Sequence, residues 1–248
     1  MGKAVRLDKY LADAGAGTRS EVKKLIQKGR VSVNGITAKK PEQKMVPGED
    51  QVTLEGRELA PPAEFVYYLL NKPAGYVSAT EDTREKTVLE LLPRDGRRQI
   101  FPVGRLDKDT EGLLLVTDDG ALAHSLLSPK KHVDKVYYAV TQGRVTQEDA
   151  RKAAQGLEIG DPDPTLPARL EILSVEEEED GGGERSHILL TIQEGRYHQV
   201  KRMMEALGKK VIYLKRLSMG SLSLPEDLKP GEYRTLTANE VAALCKFS

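Results

Sequence analysis

Residues 101–120 read FPVGRLDKDTEGLLLVTDDG, a polar loop that runs into a continuous apolar stretch. The stretch at 113–117 predicts a buried strand, because short apolar runs bounded by turn residues are typical of such strands. The loop before it carries Arg105 and Asp107, and loops on rigid scaffolds commonly hold reactive groups. An aspartate there also forms turns by accepting hydrogen bonds from backbone amides. The residues alone therefore leave Asp107 as either a turn former or a catalyst.

Strand-like and helix-like runs alternate on both sides of this segment. We predict strands at 65–70, 136–140 and 188–192, and helices at 121–127 and 200–207. This mixture predicts an α+β domain over residues 65–248. An acidic run at 176–180 is followed by three glycines, which indicates a solvated hairpin tip without a catalytic role.

A smaller patterned region forms the N-terminal part. Thr18 and Glu21 fit a capping box that opens a helix, and Gly29 is placed to end it. The apolar spacing of Leu7, Tyr10, Leu11 and Ala14 predicts a preceding helix. Short strands are predicted at 31–33 and 52–54. The sequence thus predicts a small domain over residues 1–58.

Two consecutive prolines, Pro61 and Pro62, separate the two patterned regions. Prolines in a short connection favour a stiff linker, which we place at residues 59–64.

Composition excludes several classes of protein. Neither a run of about 20 apolar residues nor a secretory signal is present, so we expect a cytoplasmic protein without a membrane span. One cysteine and four histidines exclude an intrachain disulfide and a multi-cysteine zinc site. The formal net charge is zero, but residues 1–30 carry eight basic and three acidic side chains, a local charge of 8 − 3 = +5.

A calcium loop is the competing interpretation of the segment at 101–120. Five residues match EF-hand loop positions 1, 3, 5, 6 and 12: Asp107, Asp109, Glu111, Gly112 and Asp118. The last of these positions normally holds a bidentate glutamate, and Pro102 and Gly104 occupy the segment where an entering helix is required. We therefore expect no metal site.

The N-terminal segment RLDKYLADAGAGTRSEVKKLIQKGRVSVNG, residues 6–35, resembles the S4 RNA-binding domain. That resemblance implies a small α/β fold whose basic helices face structured RNA. A solvated basic face is the alternative. The side chains implied to contact RNA are Arg6, Lys9, Arg19, Lys23, Lys24, Lys28 and Arg30.

The larger region resembles the pseudouridine synthases that modify ribosomal RNA. Four segments carry the resemblance: PVGRLDKDTEGLLLVTDDG (102–120), LLNKPAGYVSAT (69–80), HVDKVYYAV (132–140) and EGRYHQVKRMMEALG (194–208). It implies a mixed, mainly antiparallel sheet and an isomerase that converts uridine to pseudouridine. The wording of the last segment is most similar to the branch acting on small-subunit (16S) rRNA, with the large-subunit branch as the alternative.

The resemblance also implies roles for individual residues. Asp107 is the catalytic carboxylate, Tyr137 stacks on the flipped base, and Lys201 is the cation beside the carboxylate. Many relatives have arginine at this last position, and lysine cannot form a bidentate fork with a carboxylate. For Tyr137 an ordinary strand tyrosine, and for Lys201 a surface helix lysine, are the alternatives.

Three arginines in these motifs are implied to contact the RNA backbone or to order loops: Arg105, Arg196 and Arg202. For His198 a structural or RNA-facing role is favoured over metal binding. The reaction is an isomerisation, so no cofactor is expected. Asp107 has three open routes: attack on the sugar, attack on the base, or abstraction of a sugar proton. The expected partner is ribosomal RNA or a ribosomal-subunit assembly intermediate, bound by a monomer. The rival is a noncatalytic RNA-binding or ribosome-assembly protein.

Overall fold

The computed structural model describes residues 4–59, 65–93, 99–177 and 183–247. The chain divides into two compact units, residues 1–64 and 65–248. Within the described residues no helix is long and apolar enough to cross a membrane. The predicted linker lies outside the described residues except for Leu59, which packs on the core of the smaller unit.

Between residues 4 and 59, the smaller unit contains two helices and short strands around one apolar cluster. Leu7, Leu11, Val22 and Ile26 from the helices meet Val31 of the sheet, and all five are buried. In chain order its elements are β1 (Val5–Arg6), α1 (Leu7–Asp13), α2 (Arg19–Gln27), β2 (Val31–Val33), β3 (Ile36–Thr37), β4 (Lys44–Met45), β5 (Val52–Leu54) and β6 (Arg57–Glu58).

The ends of α2 follow the sequence signals. The Thr18 hydroxyl accepts from the Glu21 amide, and the Glu21 carboxylate accepts from the Thr18 amide, so the capping box is complete. Gly29 has a φ of 71°, and the Arg30 amide donates back to Leu25 O. This is a Schellman ending, which needs a residue that tolerates the left-handed region at this position.

Over its described residues, the larger unit is built on one nine-stranded sheet with four α-helices. Its elements are β7 (Tyr67–Lys72), β8 (Phe101–Pro102), β9 (Glu111–Thr117), α3 (Gly120–Leu127), β10 (Lys135–Gln142), α4 (Gln147–Gln155), β11 (Arg169–Glu177), β12 (Glu184–Ile192), α5 (Gln199–Ala206), β13 (Lys210–Met219), β14 (Leu222–Ser223), β15 (Tyr233–Thr235) and α6 (Ala238–Leu244).

The main path of the sheet runs β11-β12-β10-β13-β9-β7-β15, with β14 beside β13 and β8 beside β9. Among these described strand pairs, β9 with β13 is parallel and the others are antiparallel. The predicted mixed, mainly antiparallel α+β fold is therefore confirmed.

Strand β9 is the centre of the unit because both of its faces are covered. Leu114 and Val116 belong to the cluster that includes α5, whereas Leu113 and Leu115 belong to the cluster that includes α3 and α6. A strand that is buried on both faces has a continuous apolar sequence, as in the LLLV segment of β9.

Predicted strand β7 begins two residues later than expected. Pairing with β9 starts at Tyr67, and the Val66 amide instead donates to the Asp118 carboxylate at 2.8 Å. Phe65 lies outside the strand and is 40% exposed. Where β9 ends, the Asp118 side chain thus replaces a backbone carbonyl as the hydrogen-bond acceptor for the Val66 amide. The acidic hairpin tip predicted at 176–180 lies largely outside the described residues, although β11 and β12 on either side of it do pair.

The parallel contact of β9 with β13 requires glycine. Gly112 has a φ of 101°, and a Cβ added there would lie 2.2 Å from Arg216 O and 2.7 Å from Arg216 N. No side chain fits that space, so Gly112 fixes how closely the two strands approach.

We predict that Gly112→Ala lowers the free energy of unfolding by about 3 kcal/mol or more, because the methyl group adds a backbone clash to the cost of a positive φ. Gly231→Ala is the matched control: Gly231 has a φ of 89° and open space around its Cβ position. It should cost only about 1–2 kcal/mol. Urea unfolding measures both variants, and equal destabilisation would contradict the steric argument.

Candidate active site

The loop at 106–110 is held in place by residues of the LLNKPAGYVSAT segment. The Ser78 hydroxyl accepts from the Leu106 amide at 3.0 Å and donates to Leu106 O at 2.9 Å. The Gly75 amide donates to Lys108 O at 2.7 Å. An irregular loop beside a core needs such partners, because buried backbone groups without hydrogen bonds are costly.

Lys72 is the most buried member of this support, with no exposed side-chain surface. Its ammonium donates to three carbonyl oxygens: Pro73 O at 3.0 Å, Lys108 O at 3.3 Å and Thr110 O at 2.7 Å. Burial lowers the pKa of Lys72 to about 8, although the nearby carboxylates, with Asp109 foremost, act in the opposite direction. The Lys72 ammonium thus connects the end of β7 to Lys108 and Thr110 of the loop.

Asp107 lies between two nitrogen groups, one on each carboxylate oxygen. Lys201 Nζ is 3.2 Å from Oδ2, and His198 Nε2 is 3.4 Å from Oδ1. The Asp107 side chain is 26% exposed, so the carboxylate is accessible at the surface of a partly dry site. The predicted pairing of Asp107 with Lys201 is present in the structure.

Lys201 also binds a second carboxylate, which sequence reasoning assigned only to the calcium alternative. Its Nζ donates to Asp109 Oδ1 at 2.7 Å and Oδ2 at 2.9 Å. Burial would lower the pKa of Lys201, but the hydrogen bonds and charges of Asp109 and Asp107 outweigh it and raise that pKa. The hydrogen bond from Lys201 lowers the pKa of Asp109. Lysine therefore remains cationic here without the fork geometry of arginine.

Tyr137 lies in β10 and is 7% exposed. The Arg216 guanidinium lies 6.0 Å from the centre of its ring, and Nη1 is 3.5 Å from its hydroxyl oxygen. Arg216 is itself buried and donates from Nε to Leu113 O at 2.8 Å. The buried Arg216 guanidinium therefore contacts both the Tyr137 ring and the backbone of β9.

Asp107, Tyr137, His198 and Lys201 line one pocket that opens to solvent. The residues that matter for its chemistry are Arg105, Asp107, Tyr137, His198 and Lys201. The structure thus brings the three predicted catalytic residues together.

In the structure Arg196 and Arg202 order a loop, which is one of the two roles predicted for them, and their contacts with RNA stay predictions. Both guanidiniums contact Asp161, at 3.4 Å from Arg196 Nη1 and 2.6 Å from Arg202 Nη2. Arg196 also donates to Asp163 O and Pro164 O. Arg202 also donates to Ile159 O and Tyr197 O. Arg105 by contrast is exposed at the pocket.

The seven basic residues of the smaller unit that are predicted to contact RNA divide into two groups. Arg6 is ion-paired with buried Asp8, Lys9 with Asp13, and Arg30 with Glu55. The others lie exposed on or just after α2 and are Arg19, Lys23, Lys24 and Lys28.

The calcium interpretation fails because its ligand positions do not form a loop. Glu111 begins β9 and Asp118 follows its end, so the seven residue steps between them span about 23 Å of extended strand. They cannot bind one ion together.

Sequence reasoning missed four features around Asp107: the roles of Lys72, Ser78 and Asp109, and the contact of His198. Lys72 and Ser78 lie in a segment that the sequence marks as a motif without indicating what its side chains do. The available signal was a lysine at the end of a largely apolar strand, since a buried lysine needs partners.

A pocket that holds a carboxylate, a cation and a buried aromatic ring has the groups needed for acid–base or nucleophilic chemistry. The sequence profile of RNA pseudouridylate synthases matches residues 66–206, and that of the S4 domain matches residues 5–52. The chain belongs to the RNA pseudouridylate synthase family and carries an S4 domain, as its motifs predicted.

Full-length relatives agree. A Bacillus subtilis (strain 168) protein named uncharacterized RNA pseudouridine synthase YtzG is 48% identical over 97% of this chain and 98% of its own length. Ribosomal small subunit pseudouridine synthase A of Salmonella typhimurium is 39% identical over 97% of this chain and 100% of its own length. A solved pseudouridylate synthase superposes with a TM-score of 0.67 at 38% identity, covering 97% of this chain and 99% of that one.

We predict that Lys72→Met lowers kcat about 100-fold, because a catalytic group displaced by about 1 Å loses roughly that factor. The pH dependence of stability should also change. Lys72 has a pKa of about 8 when folded and 10.5 when unfolded, so the unfolded state binds more protons between these values. Through Lys72, the free energy of unfolding therefore increases as pH rises from about 8 towards 10.5, and this gain is lost as pH falls through 8.

Urea unfolding at pH 7 and pH 9.5 checks this second effect. The free energy of unfolding of the wild type, relative to Lys72→Met, should rise by about 2 kcal/mol between the two conditions. Parallel pH curves for the two proteins would refute a buried, titrating Lys72.

Proposed function

We propose that this enzyme isomerises one uridine of small-subunit ribosomal RNA, with Asp107 carrying the central step. The observation that carries the site assignment is the carboxylate of Asp107 placed between Lys201 at 3.2 Å and His198 at 3.4 Å in the pocket that Tyr137 lines. The choice of RNA is supported by the names of relatives 38–41% identical over nearly the full chain.

The reaction breaks the bond from C1′ of the ribose to N1 of uracil and forms a bond from C1′ to C5. C5 loses its proton and N1 ends protonated, so atoms balance without a redox step or a group donor. Uridine in folded RNA hides C1′, and enzymes that act on such atoms flip the nucleotide into a pocket. In this proposal the buried ring of Tyr137 stacks on the flipped uracil, and Asp107 faces C1′ or the base.

Lys201 supplies the positive charge beside the carboxylate. Because Asp109 takes both short contacts with Lys201 Nζ, the ammonium is held at 3.2 Å from Asp107 and not drawn into a tight pair with it. Asp107 therefore keeps a cation nearby and retains freedom to react. Asp109 is in this proposal a positioning residue.

The smaller unit is proposed to bind structured RNA through the exposed basic side chains of α2. Phosphate contacts position a protein on a nucleic acid, and they give binding its salt dependence. Binding of naked rRNA or of an assembly intermediate, a monomeric state and a cytoplasmic location remain predictions from the sequence.

The central test compares wild type with Asp107→Asn, which keeps the size of the side chain and removes its charge. Each protein is incubated separately with small-subunit and large-subunit rRNA, and pseudouridine is mapped. We expect one new pseudouridine in small-subunit rRNA with wild type and none with the variant. Modification of large-subunit rRNA alone would overturn the substrate assignment. Equal RNA binding by both proteins, without any modification, would favour the noncatalytic binding protein.

A second test addresses α2. Lys23→Gln with Lys24→Gln should lower RNA affinity and reduce the slope of log K against log salt by up to about 0.9 for each phosphate that is no longer neutralised. The matched control is Lys39→Gln with Lys40→Gln, which removes the same charge from exposed residues elsewhere in this unit. Equal effects of both pairs would show that overall charge, and not α2, governs binding.

A further inference from the structure

Tyr197 is an exposed aromatic side chain at the catalytic pocket. It is 65% exposed, and its chain neighbours Arg196 and His198 both line the pocket that contains Asp107. Tyr233 of the same unit is also exposed, at 40%, but its ring packs edge to face against the ring of Tyr68.

The Tyr197 ring lies flat against the His198 ring. The ring centres are 3.8 Å apart and the planes differ by 19°, which is a stacked arrangement. His198 has a φ of 49° and a ψ of 32°, and its Nε2 contacts Asp107. The left-handed region is uncommon for residues other than glycine, although histidine is enriched there. The stack is thus built on a specific backbone turn.

The backbone of this turn is held independently of the rings. Arg202 Nη1 donates to Tyr197 O at 3.1 Å while its other nitrogens bind Asp161 and Ile159 O. On the other side, the Arg196 amide donates to Gln199 Oε1 at 2.9 Å. The backbone that carries Tyr197 is therefore fixed, and the stack on His198 supports one face of the ring, which lowers the entropy that a ligand must remove when it binds.

We propose that Tyr197, backed by His198, is a stacking platform for a base adjacent to the flipped uridine. This rests on the proposed function. Flipping a nucleotide removes one stacking face from each of its neighbours, and proteins restore such faces with aromatic rings. His198 contacts Asp107 through Nε2 at 3.4 Å, and its ring centre lies 3.8 Å from that of Tyr197, so a base stacked on Tyr197 would lie next to the pocket that takes the flipped uridine.

The test uses full-length protein and a small-subunit rRNA fragment that contains the mapped uridine. Loss of one base–aromatic stack costs about 1–3 kcal/mol, so Tyr197→Ala should raise KM about tenfold. The stack exists in both ground and transition states, so kcat should stay within about twofold. Tyr197→Phe keeps the ring and should behave as wild type. Tyr233→Ala is the matched control and should leave KM unchanged.

A cycle with modified RNA identifies the partner base. Fragments with an abasic nucleotide on the 5′ or the 3′ side of the uridine are compared with the intact fragment. The KM cost of Tyr197→Ala should vanish with one of the two, because the interaction is already absent there. Tyr197→Leu, which keeps apolar volume without a ring, repeats the measurement if the alanine variant folds poorly.

Several results would overturn the platform. An unchanged KM for Tyr197→Ala, a Phe variant as weak as the Ala variant, or a cost that persists with both abasic fragments each contradicts stacking. A fall in kcat at constant KM would instead show that Tyr197 acts through His198 on Asp107. Failure of the proposed function is distinguishable, because wild type itself would then leave the small-subunit fragment unmodified.

Discussion

The active site depends on the close backbone contact between Gly112 of β9 and Arg216 of β13. In the sheet, Gly112 is paired with Arg216, and Arg216 is paired with Tyr137 of β10. The loop of Asp107 lies immediately before β9, so this row of three residues sets its position relative to the Tyr137 ring. The parallel register also places α5, which leads into β13, beside that loop. One missing side chain at position 112 thus determines how the carboxylate, the ring and Lys201 meet.

The second requirement is that an irregular loop beside the core must have its backbone groups satisfied. Lys72 and Ser78 meet it with side chains from a segment about 30 residues earlier in the chain. A buried ammonium is costly to desolvate, and its three carbonyl partners and the nearby carboxylates offset that cost. This cost gives rigidity: a loop bound at Leu106, Lys108 and Thr110 cannot shift Asp107 without breaking buried hydrogen bonds.

What the sequence could predict follows from the range of each interaction. The capping box at Thr18, the Gly29 helix end and the buried β9 are local signals, and each is present in the structure. The pairing of Lys201 with Asp107 came from family resemblance. The partners of Lys72 lie 36 and 38 residues away for Lys108 and Thr110, so no local pattern reports them. Asp109 was given no role, because the one pattern that included it was the calcium loop that the sequence itself disfavoured, and its partner Lys201 lies 92 residues away.

The ion pairs around Asp161 bear on how an enzyme of zero net charge binds a polyanion. Arg196 and Arg202 direct their guanidiniums to Asp161 and to loop carbonyls, so their charge is largely neutralised within the protein. In the proposed function, exposed basic groups such as Arg105 at the pocket and the lysines of α2 supply the attraction for RNA phosphates. That attraction carries no sequence information. The choice of one uridine must then come from contacts at the pocket, where Tyr137 and Tyr197 are the proposed aromatic partners of the RNA.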